Sequence, residues 1–155
     1  MLASNLMASA PQEVWGDLAT SAFVEASLLF RSLDPEARTD LLRLARVATW
    51  QAGEVVSEEG GDDFVLVVDG AAAVRVGTPG GPVEVGHLER GGFFGAEHVL
   101  GSRRGWSLAA RTEVTAVVFP LGMITALDER FPKVKRLLEA VLAAREKEAA
   151  EKAGG

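Results

Sequence analysis

The chemically most suggestive part of this sequence is the segment 91–111, which reads GGFFGAEHVLGSRRGWSLAAR. It combines glycines, which let a backbone approach a ligand closely, with two adjacent arginines. A glycine before a short helix leaves backbone N–H groups free to bind an anion, and a nearby cation neutralises its charge. The segment therefore predicts a small anion cradle, in which Gly95 precedes a helix start at Ala96–Leu100. Arg103 and Arg104 either lie in a solvated turn between a helix and a strand, or one of them supplies the positive charge.

The composition excludes several other kinds of chemistry. The 155 residues carry 16 basic and 22 acidic side chains, and a net charge of −6 argues against nucleic-acid binding by this chain alone. Without cysteine there is no disulfide, thiolate zinc site, iron–sulfur cluster or cysteine nucleophile. The only histidines, His87 and His98, form no His-x-His pair, so we expect no metal and no other cofactor. No nucleotide-binding P-loop or G-x-S-x-G motif is present, and we expect no enzymatic activity.

The same composition bears on location. No apolar run reaches the roughly 20 residues that a membrane-spanning helix needs. The first residues, MLASNLMASAPQEVW, contain no lysine or arginine ahead of a hydrophobic core, which makes them a poor signal peptide. We therefore expect a cytoplasmic protein without a membrane partner.

The anion cradle lies within a region of β-type sequence that extends from Arg46 to Pro120. Seven short apolar runs, separated by glycine-rich turns, predict strands: RVATWQ, EVVSEE, FVLVVDG, AAVRVG, VEVGHL, WSLAAR and VTAVVF. Short strands at this spacing, with no long helices between them, are typical of an antiparallel sandwich or barrel. We predict a mainly β fold with flanking helices: an antiparallel β-roll of the jelly-roll or double-stranded β-helix type, with helices before it and a long helix after it.

Two helices are predicted before the β region. Apolar residues recur at helical spacing from Gln12 to Phe30, and we divide the chain into an N-terminal helical extension, 1–25, and a main domain, 26–155. The second helix has a clear start, because Asp34 is a good N-cap and Pro35 suits the first helical position. Four of its apolar residues are expected to face inward: Ala37, Leu41, Leu44 and Ala45.

The helical period returns after Pro120 and is interrupted at Pro132, which predicts a short helix followed by a long one from Lys133 to about Ala150. The charged tail of the long helix, REKEAAEKAGG, is expected to be exposed. An apolar stripe in this helix continues beyond what one β-roll should cover, which predicts a homodimer through the C-terminal helix. The dimer residues are Val134, Leu138 and Val141.

Taken in order, three segments resemble one known family, with a match that covers about 26–141. They are LLFRSLDPEARTDLL, AGEVVSEEGGDDFVLVVDGAAAVRV and GHLERGGFFGAEHVLGS. They resemble the cyclic-nucleotide-binding domain, the sensory module of CRP/FNR-type regulators, cyclic-nucleotide-dependent kinases and gated channels. The resemblance implies a β-roll, a cyclic nucleotide as ligand and a regulatory rather than catalytic function. It also implies a phosphate-binding cassette, which here comprises residues 95–107 and is called the cassette below.

In that family, a glycine and a helix start bind the cyclic phosphate through backbone N–H groups, and the next residue, a glutamate, binds a ribose hydroxyl. Gly95 matches the glycine, but Ala96 stands in the place of the glutamate. Glu97 follows one position later, and we expect it at the surface, or in a position that supports the site without touching a ligand.

The family's phosphate-binding arginine, followed by serine or threonine, is also only partly matched. Arg104 corresponds to it if one residue is deleted, and Gly105 then replaces the hydroxyl residue, for which Ser107 is a substitute. Arg103 is the second candidate for the anion contact. Each lost charge-assisted hydrogen bond costs about 1.5–3 kcal/mol, so we expect binding weakened by two or more orders of magnitude.

Three functions follow from these observations. The first is a regulatory or sensory module that signals by protein contact and binds its ligand weakly or with altered specificity. The second is a dimerisation or protein-interaction module whose pocket has lapsed. The third is a cupin-like metalloenzyme, but cupins hold their metal with three histidines and a carboxylate, and this sequence contains only two histidines.

Transcription factors of the family continue into a helix-turn-helix domain. This sequence ends at Gly155 in the charged tail, so we expect no DNA-reading element in it.

Overall fold

The computed structural model describes residues 23–24, 26–102 and 104–153. The helix predicted over Gln12–Phe30, and with it the extension 1–25, lies largely outside the described residues. Helices occur in the following ranges: α1 Leu28–Arg31, α2 Pro35–Arg43, α3 Ala96–Val99, α4 Leu121–Arg130 and α5 Pro132–Ala153. Strands occur in these: β1 Arg46–Trp50, β2 Val55–Ser57, β3 Asp63–Asp69, β4 Ala72–Val76, β5 Val83–Leu88, β6 Phe93–Phe94, β7 Trp106–Ala110 and β8 Val114–Pro120.

The strands form two four-stranded antiparallel sheets, in the orders β1-β8-β3-β6 and β2-β7-β4-β5. This arrangement confirms the predicted antiparallel β-roll with flanking helices and a long C-terminal helix. All seven predicted strands are present. Sequence patterns missed only β6, because its two residues lie among glycines and are too few to show an alternation.

The start of α2 confirms the predicted cap. Asp34 accepts a hydrogen bond through Oδ1 from the backbone N–H of Ala37, at 2.8 Å, and Pro35 is the first helical residue. The inward position predicted for Leu44 is wrong, since the helix ends at Arg43 and Leu44 follows as an exposed C-cap. Leu42 is buried instead.

Two hydrophobic cores result from the alternation of side chains along β3. Phe64 and Leu66 point outward into a core shared with the helices, which we call the helical core. Val65 and Val67 point to the other side, into a core between the sheets that also contains Trp106; we call it the inter-sheet core. Helix α5 contacts both cores, and this double contact places its C-terminal half against β5.

The apolar stripe of α5 is largely satisfied within one chain. Val134 and Leu138 are fully buried in the helical core, and Val141 is partly buried against it. The idea that this stripe extends beyond what the domain can cover is therefore wrong for Val134 and Leu138. A homodimer remains a prediction, but these two side chains are not available to a partner in this conformation. The break at Pro132 is confirmed.

None of the helices in the described part of the chain is both long enough and apolar enough to cross a membrane.

Candidate functional site

The predicted cradle begins at Gly95, the N-cap of α3. Its φ of +133° belongs to a region that glycine alone adopts readily. A Cβ atom at this position would lie 2.7 Å from the Phe64 ring. Because of both constraints, only glycine fits between β6 and α3.

The two residues after Gly95 differ from their predicted roles. Ala96 is fully buried in the helical core. Glu97 is also fully buried, so the surface position expected for it is wrong. Its Oε1 accepts a hydrogen bond from the Gly95 N–H at 3.1 Å. The backbone N–H that should bind a ligand anion therefore already binds a carboxylate of the same segment.

The Glu97 carboxylate is paired with a cation from α5. Arg145 donates from Nη1 to Glu97 Oε2 at 2.5 Å and from Nη2 to the Phe93 carbonyl. The side chains of Arg145 and Glu97 are 10% and 0% exposed. Burying a charge is costly unless it is paired and hydrogen-bonded, and this pair meets both conditions. It attaches the C-terminal half of α5 to the cassette.

The next residue of α5 makes a second connection. Glu146 accepts a hydrogen bond from Arg104 Nε at 2.5 Å and another from the Ser102 hydroxyl at 2.9 Å. The Ser102 oxygen in turn accepts from Trp106 Nε1 at 2.8 Å. Arg104, the residue matched to the family's phosphate arginine, is therefore bound to an internal carboxylate, with a serine hydroxyl beside it.

Gly105 and Ser107 do not supply the hydroxyl that the family places beside its arginine. A Cβ atom at Gly105 would lie 1.8 Å from Glu59 Oε1, so a carboxylate occupies the place of the family's hydroxyl side chain. Ser107 is half-buried and, by the alternation of β7, lies on the opposite face from Trp106. It is therefore a poor substitute for that hydroxyl. Arg103 lies outside the described residues.

A cavity of about 20 Å³ lies against β4, β5 and α5. It is lined by Val74, Val85, Gly86, His87, Arg145 and Glu148. This volume is enough for about one water molecule, whereas ligand pockets typically measure about 300–1,000 Å³. Helix α5 packs along β5 on this side of the roll.

Sequence analysis missed Ser102, Arg145 and Glu146. The position of Arg145 was detectable, because it continues the inward-facing series of 134, 138 and 141 and is followed by buried Ala149. The tail was predicted to be exposed because it is rich in charge, and that prediction is wrong for Arg145 and Ala149.

Among the described residues, neither histidine is paired with Glu97, Arg145, Arg104 or Glu146. His87 Nε2 is 3.5 Å from a Glu89 carboxylate oxygen on an exposed part of the surface. His98 packs edge-on against Phe94, with 5.5 Å between ring centroids. Among the residues that the structure describes, no three side chains form a group able to ligate a metal.

Comparison with known proteins decides the family. The model of the cyclic nucleotide-binding domain family matches residues 47–130, which is more than half of the chain. The chain belongs to the cyclic nucleotide-binding domain family. The matched region of this domain includes both sheets except the first residue of β1, as well as the cassette and α4.

Relatives of this domain agree with that assignment. It is 36% identical over 95 residues to a cyclic nucleotide-gated potassium channel of Rhizobium etli, a match that covers 59% of this chain and 25% of the channel. The domain thus corresponds to about a quarter of that relative. The solved catabolite activator protein of Thermus thermophilus is 27% identical, with a TM-score of 0.61 over 79% of this chain and 60% of that one. The sensor domain of the Pseudomonas aeruginosa transcriptional regulator DNR shares the fold at 15% identity, with a TM-score of 0.67 over 86% of this chain and 90% of that one.

Proposed function

We propose that this cyclic nucleotide-binding domain is a non-enzymatic regulatory module that signals by protein contact and binds cyclic nucleotides weakly. The observation that carries the proposal is the internal pairing of the cassette. Glu97 is bound to Arg145, and Arg104 is bound to Glu146. A ligand must exchange these contacts for its own before it gains any affinity.

This exchange of contacts leaves only a small net gain in binding free energy for the ligand. A cyclic phosphate at Arg104 would replace one charge-assisted hydrogen bond with another, so the two contributions largely cancel. The Glu59 carboxylate lies beside Gly105 and adds repulsion toward an anion at that position. These two effects support weak binding even though Gly95 and the start of α3 keep the cassette's backbone.

The test is a calorimetric titration of the purified protein with cyclic AMP, cyclic GMP and a cyclic dinucleotide. We expect dissociation constants of about 100 μM or weaker, which correspond to binding free energies of about −5.5 kcal/mol or less favourable. Arg104→Met should reduce any residual binding, whereas Arg136→Met, an exposed arginine of α5, should not. Submicromolar binding of cyclic AMP by the unaltered protein would contradict the proposal.

A second candidate function is an interaction module whose pocket has lapsed. The complete burial of Trp106 beside the cassette favours it. This function predicts no binding of any cyclic nucleotide at millimolar concentration, for the unaltered protein and for variants that loosen α5. Measurable binding by one of those variants would favour the regulatory module instead.

We also propose that the domain acts in the cytoplasm as a homodimer through the exposed side of α5. Light scattering at micromolar concentration tests the assembly, and a single species of 16.4 kDa would contradict it. A charged residue in place of Leu138 is not a suitable test, since that side chain is fully buried within the chain. Substitutions at exposed positions of α5, such as Ala140 and Ala144, test the contact without unfolding the domain.

A further inference from the structure

The charges at the cassette are arranged as if a ligand were already present. Arg104 has a partner whose two oxygens are both used, since Glu146 Oε1 accepts from Arg104 and Oε2 accepts from Ser102. A phosphate oxygen pair would accept from the same two donors, a guanidinium N–H and a hydroxyl. The carboxylate thus supplies the acceptors that an anionic ligand would otherwise supply.

We propose that Glu146 is an internal substitute for the phosphate of a ligand, so that the end of α5 and an anionic ligand exclude each other at Arg104. The proposal rests on the proposed function, because the excluded ligand is the cyclic phosphate that the cassette would bind. It assigns a direction to the response: ligand binding releases the C-terminal end of α5 from the cassette.

The neighbouring contacts favour release over a local rotamer change. Arg145 and Glu146 are consecutive residues of one helix, and both are bound to the cassette, one at Glu97 and the other at Arg104. Arg145 also lines a cavity of about 20 Å³ beside β4 and β5, which is far smaller than a typical ligand pocket. A ligand that takes Arg104 therefore has to move the helix segment that carries both residues.

The two ion pairs differ in how much it costs to break them. The Arg104–Glu146 pair is the one that a ligand can displace more easily. The side chains of Arg104 and Glu146 are 26% and 37% exposed, and such partly exposed pairs contribute little net stability. The Arg145–Glu97 pair is buried, and breaking it costs more, because it leaves an uncompensated buried charge. Removal of the Glu146 charge should abolish this contact of Arg104 without unfolding the domain.

The experiment compares Glu146→Gln with Glu151→Gln, the same change at an exposed position of the same helix. Calorimetry with cyclic AMP should show binding about fivefold or more tighter for Glu146→Gln than for the unaltered protein, and no such gain for Glu151→Gln. Hydrogen exchange without ligand should be faster at residues 142–153 in Glu146→Gln only. In the unaltered protein, saturating cyclic AMP should also speed exchange at 142–153.

Three results would overturn the proposal. One is equal behaviour of the two variants in both measurements, and another is slower exchange at 142–153 when cyclic AMP is bound. The third is the absence of cyclic AMP binding by all three proteins at millimolar concentration, which would also favour a lapsed pocket. Tight binding by the unaltered protein would contradict only the proposed weak affinity, and the difference between the variants would still decide the role of Glu146.

Discussion

Replacement of Arg145 by methionine tests the buried connection between α5 and the cassette. The change removes both donors to Glu97 Oε2 and to the Phe93 carbonyl, and leaves a fully buried carboxylate with one hydrogen bond, from the Gly95 N–H. Removal of one partner of a buried pair costs about 3–5 kcal/mol. Since one hydrogen bond to Glu97 remains, we expect a loss near the lower end, about 3 kcal/mol.

The assay is urea unfolding followed by tryptophan fluorescence. With a slope of about 2 kcal/mol per molar urea, a loss of 3 kcal/mol lowers the unfolding midpoint by about 1.5 M. Arg136→Met is the matched control, because Arg136 is an exposed arginine on the same helix and methionine has a similar helix propensity. We expect the control to shift the midpoint by less than 0.3 M, an amount of about 0.5 kcal/mol or less.

The double variant Glu97→Gln with Arg145→Met separates the effect of the unpaired Glu97 charge from the effect of losing the Arg145 side chain. If an unpaired buried carboxylate causes the loss, the double variant should be more stable than Arg145→Met alone. The loss of stability cannot exceed the free energy with which residues 142–153 are docked on the domain. If the loss reached that value, the end of the helix would detach and water would solvate Glu97. The reasoning fails if Arg145→Met loses no more stability than Arg136→Met, or if the double variant is the less stable of the two.

Three further predictions concern the effect on stability of substitutions that do not change the charges of the cassette. Asp34→Ala should lower the free energy of unfolding by about 1 kcal/mol through loss of the α2 cap, and Asp34→Asn should restore most of it. Gly95→Ala should cost about 2 kcal/mol or more, because φ is +133° and the new Cβ meets the Phe64 ring; a loss below 0.5 kcal/mol would be inconsistent with that geometry. Leu138→Ala should cost about 2–5 kcal/mol in urea unfolding independently of protein concentration, since its side chain fills a core within one chain; a concentration-dependent loss would place it at a subunit contact instead.

The fold was predictable because each level of sequence pattern agreed with the next. Seven strands, the Asp34 cap and the break at Pro132 are local features, and glycine-rich turns separate the strands at regular intervals. β6 was too short to detect. Leu44 was misplaced because a periodic pattern does not show that the helix ends one residue earlier.

The site was only partly predictable, because its partners are far apart in sequence. Gly95 and Arg104 carry local signals, a backbone requirement and an adjacent pair of cations. The partners of the cassette lie 42 to 48 residues later on α5, and no local pattern links Glu97 to Arg145. Position in the helical repeat marked Arg145 as inward-facing, yet only the three-dimensional packing shows which carboxylate it meets.

The two cores contacted by α5 also determine how a movement at the cassette would be enlarged. Leu138 is the last residue of the helix fully buried in the helical core, and Arg145 lies seven residues, or about 10 Å, beyond it. Ala153 lies fifteen residues, or about 22 Å, beyond the same point. A bend of about 20° near Leu138 would shift Arg145 by about 4 Å, enough to break its hydrogen bonds, and Ala153 by about 8 Å. The helix therefore pivots at the helical core. A partner bound to its C-terminal end would be displaced about twice as far as the residues at the cassette.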